Sequence, residues 1–113
     1  MKLLIVDDNI SMRGFIKMTF KDAFTEIFEC NDGLYSFDIY KKYKPEWVLM
    51  DIKMEKVDGI EATENIISKY PLAKIIILTD YDNNKLKQKA LKAGATAYVT
   101  KENLMSIFNL IKY

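Results

Sequence analysis

Apolar residues along this chain fall into short unbroken runs, separated by longer stretches in which they recur every three or four positions. The runs Leu3 to Val6, Trp47 to Met50, Ile75 to Leu78 and Ala97 to Val99, with the weaker Glu26 to Cys30, predict five strands. The three strongest lack period-two alternation, which suits strands covered on both faces.

The intervening stretches predict the helices that do the covering. The first follows Ser11, with Met12, Phe15, Ile16, Thr19, Phe20 and Ala23 at helical spacing beneath Arg13, Lys17 and Lys21. A second runs from Leu34 to Tyr43 and stops before Pro45, because the residue preceding a proline is pushed out of the helical region. A third starts at Asp58, with Glu61 completing a capping-box pattern, and ends at Tyr70-Pro71. The fourth covers Asn83 to Ala93 and is closed by Gly94. The fifth covers Asn103 to Lys112, with a stripe of Leu104, Ile107, Phe108 and Ile111 and with Met105 and Leu110 on its flanks.

Alternating strands and helices imply an α/β fold with right-handed crossovers, a three-layer, doubly wound, five-stranded parallel sheet with five helices. The expected strand order is 2-1-3-4-5. That order puts the topological switch point between the first and third strands, so a ligand should gather at their carboxyl ends. The length of 113 residues, half of them apolar, fits one domain over 1–113.

Charge and composition remove several function classes. Seventeen basic and sixteen acidic side chains nearly cancel, so no overall field draws the molecule to nucleic acid or to an anionic membrane. Clustered lysines at 85, 87, 89 and 92 read as a solvated helix face. The single Cys30 rules out an internal disulfide framework and reads as an ordinary buried thiol; the absence of histidine makes a zinc site improbable. Asp7-Asp8 cut the N-terminal apolar run too short for a signal peptide or a membrane span, so a soluble, cytoplasmic protein is expected.

Candidate chemistry lies at the strand ends. Asp7 and Asp8 close the first strand and Asp51 the third. Two like charges about 4 Å apart repel by roughly 4 kcal/mol at an effective dielectric near 20, so such a cluster calls for a shared cation. Mg²⁺ (or Mn²⁺) suits it, since Mg²⁺ takes one or two carboxylates, waters and phosphate oxygens. Thr79 closes the fourth strand and Lys101 follows the fifth, supplying a hydroxyl and a fixed cation. Around a phosphoryl group on Asp51 the metal would hold one oxygen, Lys101 a second, and Thr79 with backbone amides the third.

The segments Leu4-Ile5-Val6-Asp7-Asp8-Asn9, Val48 to Met54 around Asp51, Asp58-Gly59-Ile60-Glu61, Ile77-Leu78-Thr79 and Ala93 to Lys101 together resemble response-regulator receiver domains of two-component systems, which have a flavodoxin-like architecture. The resemblance covers essentially the whole chain. It implies that Asp51 is the phosphoacceptor, that Asp8, Asp51 and the main-chain carbonyl of Lys53 ligate Mg²⁺, and that Asp7 acts through water. Tyr98 matches the aromatic that turns inward when the threonine shifts, reporting phosphorylation to the face of the fourth helix, fifth strand and fifth helix; simple core packing explains it equally well. The donor would be a phosphohistidine on a sensor histidine kinase or phosphotransfer protein, or acetyl phosphate. The chain would catalyse its own phosphorylation and dephosphorylation without being a multiple-turnover enzyme. The switching face would serve a homodimer or an effector domain. The stretch Leu78 to Asp82 is similar to receivers that precede a helix-turn-helix domain, so a transcription-factor parent is one expectation, although nothing within these residues reads DNA.

Each residue alone has a plainer reading. Asp7-Asp8-Asn9 would cap a helix, Thr79 would be a strand end, and Lys101 would be solvated surface. The chain also departs from the family pattern. Glu55 and Glu102 stand where prolines are common, and without proline a cis Lys101-Glu102 bond would cost about 2.5 to 4 kcal/mol, so a trans bond is expected. Asp80 replaces a usually small residue and places negative charge at the phosphoryl entrance. Lys53 and Tyr81 flank the path of a hydrolytic water and should tune dephosphorylation. Rival readings are a flavin carrier, whose phosphate Asp7-Asp8 would repel; a haloacid-dehalogenase-type phosphatase, which expects an acid where Lys53 stands; and a degenerate receiver that only docks or dimerises.

Overall fold

In the computed structural model, which describes residues 1–111, the apolar runs form β1 (Lys2–Val6), β2 (Glu26–Cys30), β3 (Trp47–Met50), β4 (Ile75–Thr79) and β5 (Ala97–Thr100). All pair in parallel, in the order β2-β1-β3-β4-β5. Between them run α1 (Ile10–Phe20), α2 (Gly33–Tyr43), α3 (Gly59–Lys69) and α4 (Asn84–Lys92), and after β5 a 3-10 segment (Lys101–Ser106) leads into the short α5 (Ile107–Leu110). The expected three-layer arrangement is therefore present.

Two apolar clusters, one on each side of the sheet, explain the unbroken runs. Leu3, Ile5, Leu49, Ile76 and Leu78 pack with Ile16, Phe20 and Ile107, whereas Leu4, Val6, Met50, Ile75 and Ile77 pack with Ile66 and Ala90. Successive residues of a strand point to opposite faces, so a strand buried on both sides must be apolar at every position. The edge strand β2 has one free side, and its mixed burial matches its weaker sequence signal.

Side chains set most helix boundaries. Asn9 caps α1 by accepting from the Met12 amide, so the helix begins at Ile10 rather than after Ser11. Phe15, expected in the core stripe, is instead 57% exposed, while Ile16 and Phe20 carry the packing. Lys44 adopts a left-handed φ of 46° and ends α2 before Pro45. Asp58 Oδ1 accepts from the amides of Ile60 and Glu61 at 2.9 Å, as its position predicts. Gly94 closes α4 with φ +109°.

The last helix departs furthest from expectation. Asn103 has non-helical angles and donates to Thr100 Oγ1, and Ser106 donates back to the Asn103 carbonyl. Such local side-chain bonds compete with the α-helical ladder, and the segment tightens into a 3-10 turn. Leu104, Ile107 and Ile111 are buried and Phe108 is partly buried, with Met105 and Leu110 exposed on the flanks. Lys112, the expected helix end, lies outside the described residues. Among those residues no peptide bond is cis, Lys101-Glu102 included, and no helix is long and apolar enough to cross a membrane.

Candidate functional site

Strand register brings the candidate residues to one edge of the sheet. Val6 aligns with Met50, so the next residues, Asp7 and Asp51, leave β1 and β3 side by side. Thr79 aligns with Thr100, which places Lys101 one step beyond. The backbone continues the ladder past the strands, Asp51 N donating to the Val6 carbonyl and Asp7 N to that of Cys30.

At that edge Asp7, Asp8 and Asp51 each offer a carboxylate oxygen, all within 4.8 Å of one another. Asp7 and Asp51 are buried, and Asp8 opens to solvent. The Lys101 ammonium, only 9% exposed, lies 3.1 Å from Asp7 Oδ2, 3.5 Å from Asp51 Oδ2 and 3.7 Å from Asp80 Oδ2. Three carboxylates thus face one ammonium, with Asp8 adding a fourth negative charge to the cluster. Burial and then the Asp7 charge push the Asp51 carboxyl up to about 6, against the pull of Lys101 and the Ile52 amide, with Asp8 adding to the push. Burial acts to lower the Lys101 ammonium, but Asp51, Asp7 and Asp80 outweigh it and raise it above its ordinary value.

Neighbouring groups hold this cluster in place. Asp7 Oδ1 accepts from the Asn9 amide at 2.9 Å, and Asp51 Oδ1 from its neighbour Ile52 at 2.9 Å. Arg13, read from the sequence only as part of a polar helix face, donates to the Asp7 carbonyl at 2.7 Å and pairs with Glu29. Gly59 lies so close beneath Asp51 that an added Cβ would meet the Asp51 carbonyl oxygen at 1.8 Å. Gly59→Ala therefore must displace the backbone of the site; we expect a loss of about 3 kcal/mol, read by urea denaturation, and an unchanged midpoint would contradict this packing.

The remaining sequence candidates form a second layer. Thr79 is fully buried, and its Oγ1 accepts from the Tyr81 amide at 3.3 Å. The Tyr98 hydroxyl donates to the Tyr81 carbonyl, and its ring rests against the core. Exposed Lys53 holds its ammonium 5.4 Å from the centroid of the Tyr81 ring, within cation–π range. Asp80 is largely exposed and touches the cluster only through Lys101. Cys30 is half-buried rather than buried; burial pushes its thiol up to about 11, and it donates weakly to the Asp32 carbonyl.

Sequence reading missed Asp32. This buried carboxylate accepts from the amides of Leu34, Lys56 and Val57, at 3.0, 2.9 and 3.0 Å. The available signal was an acid directly before a glycine at a helix start, which by itself reads only as a cap.

Residues 3–112 match the family model described as the response regulator receiver domain. The transcriptional regulatory protein DegU of Brevibacillus brevis is 34% identical over 103 residues, covering 89% of this chain and 44% of its own length. The chemotaxis protein CheY of Halobacterium salinarum is 38% identical over 100 residues, covering 88% of this chain and 83% of its own. Among solved structures, the Vibrio cholerae chemotaxis protein CheY4 superposes with a TM-score of 0.87 at 27% identity, covering 97% of this chain and 94% of that one.

Proposed function

The chain belongs to the response regulator receiver domain family of two-component systems, and from that premise we propose that it accepts a phosphoryl group on Asp51 from a partner phosphohistidine. The observation that carries this reading is the convergence of Asp7, Asp8 and Asp51, their carboxylate oxygens within 4.8 Å of one another, with the Lys101 ammonium 3.1 Å from Asp7 and 3.5 Å from Asp51. A purely structural site would not gather so much unbalanced negative charge.

Receivers bind Mg²⁺ in an acidic pocket, and the donor set here fits such an ion. The oxygens are hard ligands, the nearby charge is negative in excess, and exposed Asp8 leaves the pocket open. Asp8, Asp51 and the Lys53 carbonyl would hold Mg²⁺ or Mn²⁺ directly and Asp7 through water. When bound, the ion would neutralise charge on the phosphoryl oxygens.

The chain's own residues do the rest. A carboxylate oxygen of Asp51 attacks phosphorus, the bond to the donor imidazole nitrogen breaks, and its electron pair returns to that nitrogen. An Asp51 carboxyl at about 6 is mostly ionised at pH 7 and more basic than an ordinary aspartate. Lys101 would turn from the carboxylates toward the new phosphoryl charge. Thr79 accepts from the Tyr81 amide, so its own hydroxyl proton is free to reach a phosphoryl oxygen.

That movement would pull Tyr81, which connects Thr79 to the Tyr98 hydroxyl, and so alter the face of α4, β5 and α5. This face would meet an effector domain or a second receiver. Because the match spans 44% of DegU, a transcriptional output remains part of the proposal, acting through a DNA-binding partner domain rather than through these residues. Tyr81 and Lys53 would set the phosphoryl lifetime by covering the approach of water.

Incubation with acetyl phosphate and Mg²⁺, followed by intact mass, should show one base-labile phosphoryl adduct. No adduct on the wild type, or an equal adduct on Asp51→Asn, defeats the reading. Asp80 supplies a further check. Its exposed carboxylate repels an anionic donor, so Asp80→Ala should raise the acetyl phosphate labelling rate about 2- to 5-fold, the equivalent of roughly 0.5 to 1 kcal/mol. An unchanged rate removes Asp80 from the entrance.

A further inference from the structure

The loop from Asp51 to Asp58 carries the metal-facing residues of the proposed site yet has little to stiffen it. Glu55 stands where a proline would restrict the chain, and Gly59 N to the Ile52 carbonyl closes only its base. Asp32 holds its middle from outside. Oδ2 accepts from the Lys56 amide and Oδ1 from Val57, while Oδ1 also caps α2 through Leu34. Among the described residues no ammonium or guanidinium comes within 4.0 Å of this carboxylate; the Lys56 ammonium reaches Tyr35 instead. Burial opposes the Asp32 charge, but the three amides and Lys56 outweigh it and hold its carboxyl below the ordinary aspartate value.

Contact between the two segments is close. A Cβ on Gly33 would meet the Val57 carbonyl oxygen at 2.4 Å. A polar cleft of about 330 Å³ beside the join is lined by Asp8, Asn31, Asp32, Tyr35, Glu55 and Lys56, so this contact borders the acidic cluster.

We propose that Asp32 is a positioning residue for the cation site: by binding the Lys56 and Val57 amides it fixes the loop whose base carries Asp51 and Lys53. The proposal rests on the Mg²⁺ reading above. A helix cap alone would need only the Leu34 amide, whereas two of the three bonds cross 24 and 25 residues to the loop.

The test separates these roles. Asp32→Ser keeps an N-capping hydroxyl for α2 but is too short to serve both loop amides; Asp32→Asn is the second variant, keeping size while losing charge and one acceptor. Phe20→Leu, in the opposite core, serves as a control for general destabilisation. Mg²⁺ affinity is read by calorimetry and the Lys56 and Val57 amides by hydrogen exchange. The expected result is Mg²⁺ binding about 10- to 100-fold weaker in both Asp32 variants, with faster exchange confined to the loop, and wild-type affinity in Phe20→Leu. Faster loop exchange with unchanged Mg²⁺ affinity overturns the positioning role, as does an equal loss in Phe20→Leu. If Asp32→Ser does not fold, Asp32→Asn decides by the same criteria. Absence of Mg²⁺ binding by the wild type would instead sink the metal reading itself.

Discussion

Asp51→Asn should make the metal-free protein harder to unfold at pH 7, by about 2 to 3 kcal/mol, while abolishing phosphorylation. The Asp51 carboxyl is raised from 3.8 to about 6 by burial and by Asp7, so its ionised form is disfavoured in the folded state. Each unit of such a shift corresponds to about 1.36 kcal/mol. A carboxyl with a raised folded value contributes stability that is fully present below about 4 and lost as pH rises through about 6. Asparagine keeps an oxygen for the Ile52 amide and removes the charge. Urea denaturation at pH 7 and pH 4 should show the advantage shrinking in acid. Mg²⁺ should stabilise the wild type and narrow the gap from the other side. A variant less stable than the wild type at pH 7, without metal, would mean that Lys101 already balances the cluster.

Lys101→Met should act in the opposite direction. Its ammonium is the single cation within 4 Å of Asp7, Asp51 and Asp80 among the described residues, and it is 9% exposed. Removing one partner of a buried charge group leaves the others uncompensated, which costs about 3 to 5 kcal/mol. The acids hold the ammonium above its ordinary 10.5, so its contribution persists across neutral pH and fades only as pH rises through that elevated value. Acidification should reduce the cost of the substitution because the carboxylates themselves become neutral. Acetyl phosphate should still label Asp51, but without Lys101 the phosphorylated protein should fail to reorganise the face of α4, β5 and α5, as read by NMR shifts of Tyr98 and its neighbours. A loss below 1 kcal/mol at pH 7 would show that solvent, not Lys101, screens the acids.

Together the two substitutions describe one property. The site is over-supplied with negative charge in the absence of metal, and it is held ready by a stable frame. Deleting an acid relieves the excess and deleting the cation worsens it. Instability of this kind is a common cost of function, because the charges become favourable only once a ligand is bound.

Much of this was readable from residue order. Leu3 to Val6, Trp47 to Met50 and Ile75 to Leu78 announced strands buried on two faces, and Asp58 and Gly94 marked helix ends through cap chemistry that is local in sequence. The acids at 7, 8 and 51 and the residues at 79 and 101 could be placed together because parallel strands deliver their carboxyl ends to one edge. Phe15 misled because helical spacing records a stripe without saying how wide a face the sheet covers. The last helix misled because Asn103 and Ser106 trade α-helical bonds for local ones.

By itself, then, the amino-acid order determined the sheet, its buried faces and the identity of the clustered side chains, since these depend on periodicity, caps and chain connectivity. Only the tertiary structure decided which groups touch. Arg13 pairing with Glu29, Lys101 spanning three acids, and Asp32 reaching amides 24 and 25 residues away are contacts between segments remote in sequence. The reason is physical: caps and periodicity act within a turn or two of chain, whereas burial, pairing and charge compensation depend on what folding brings alongside.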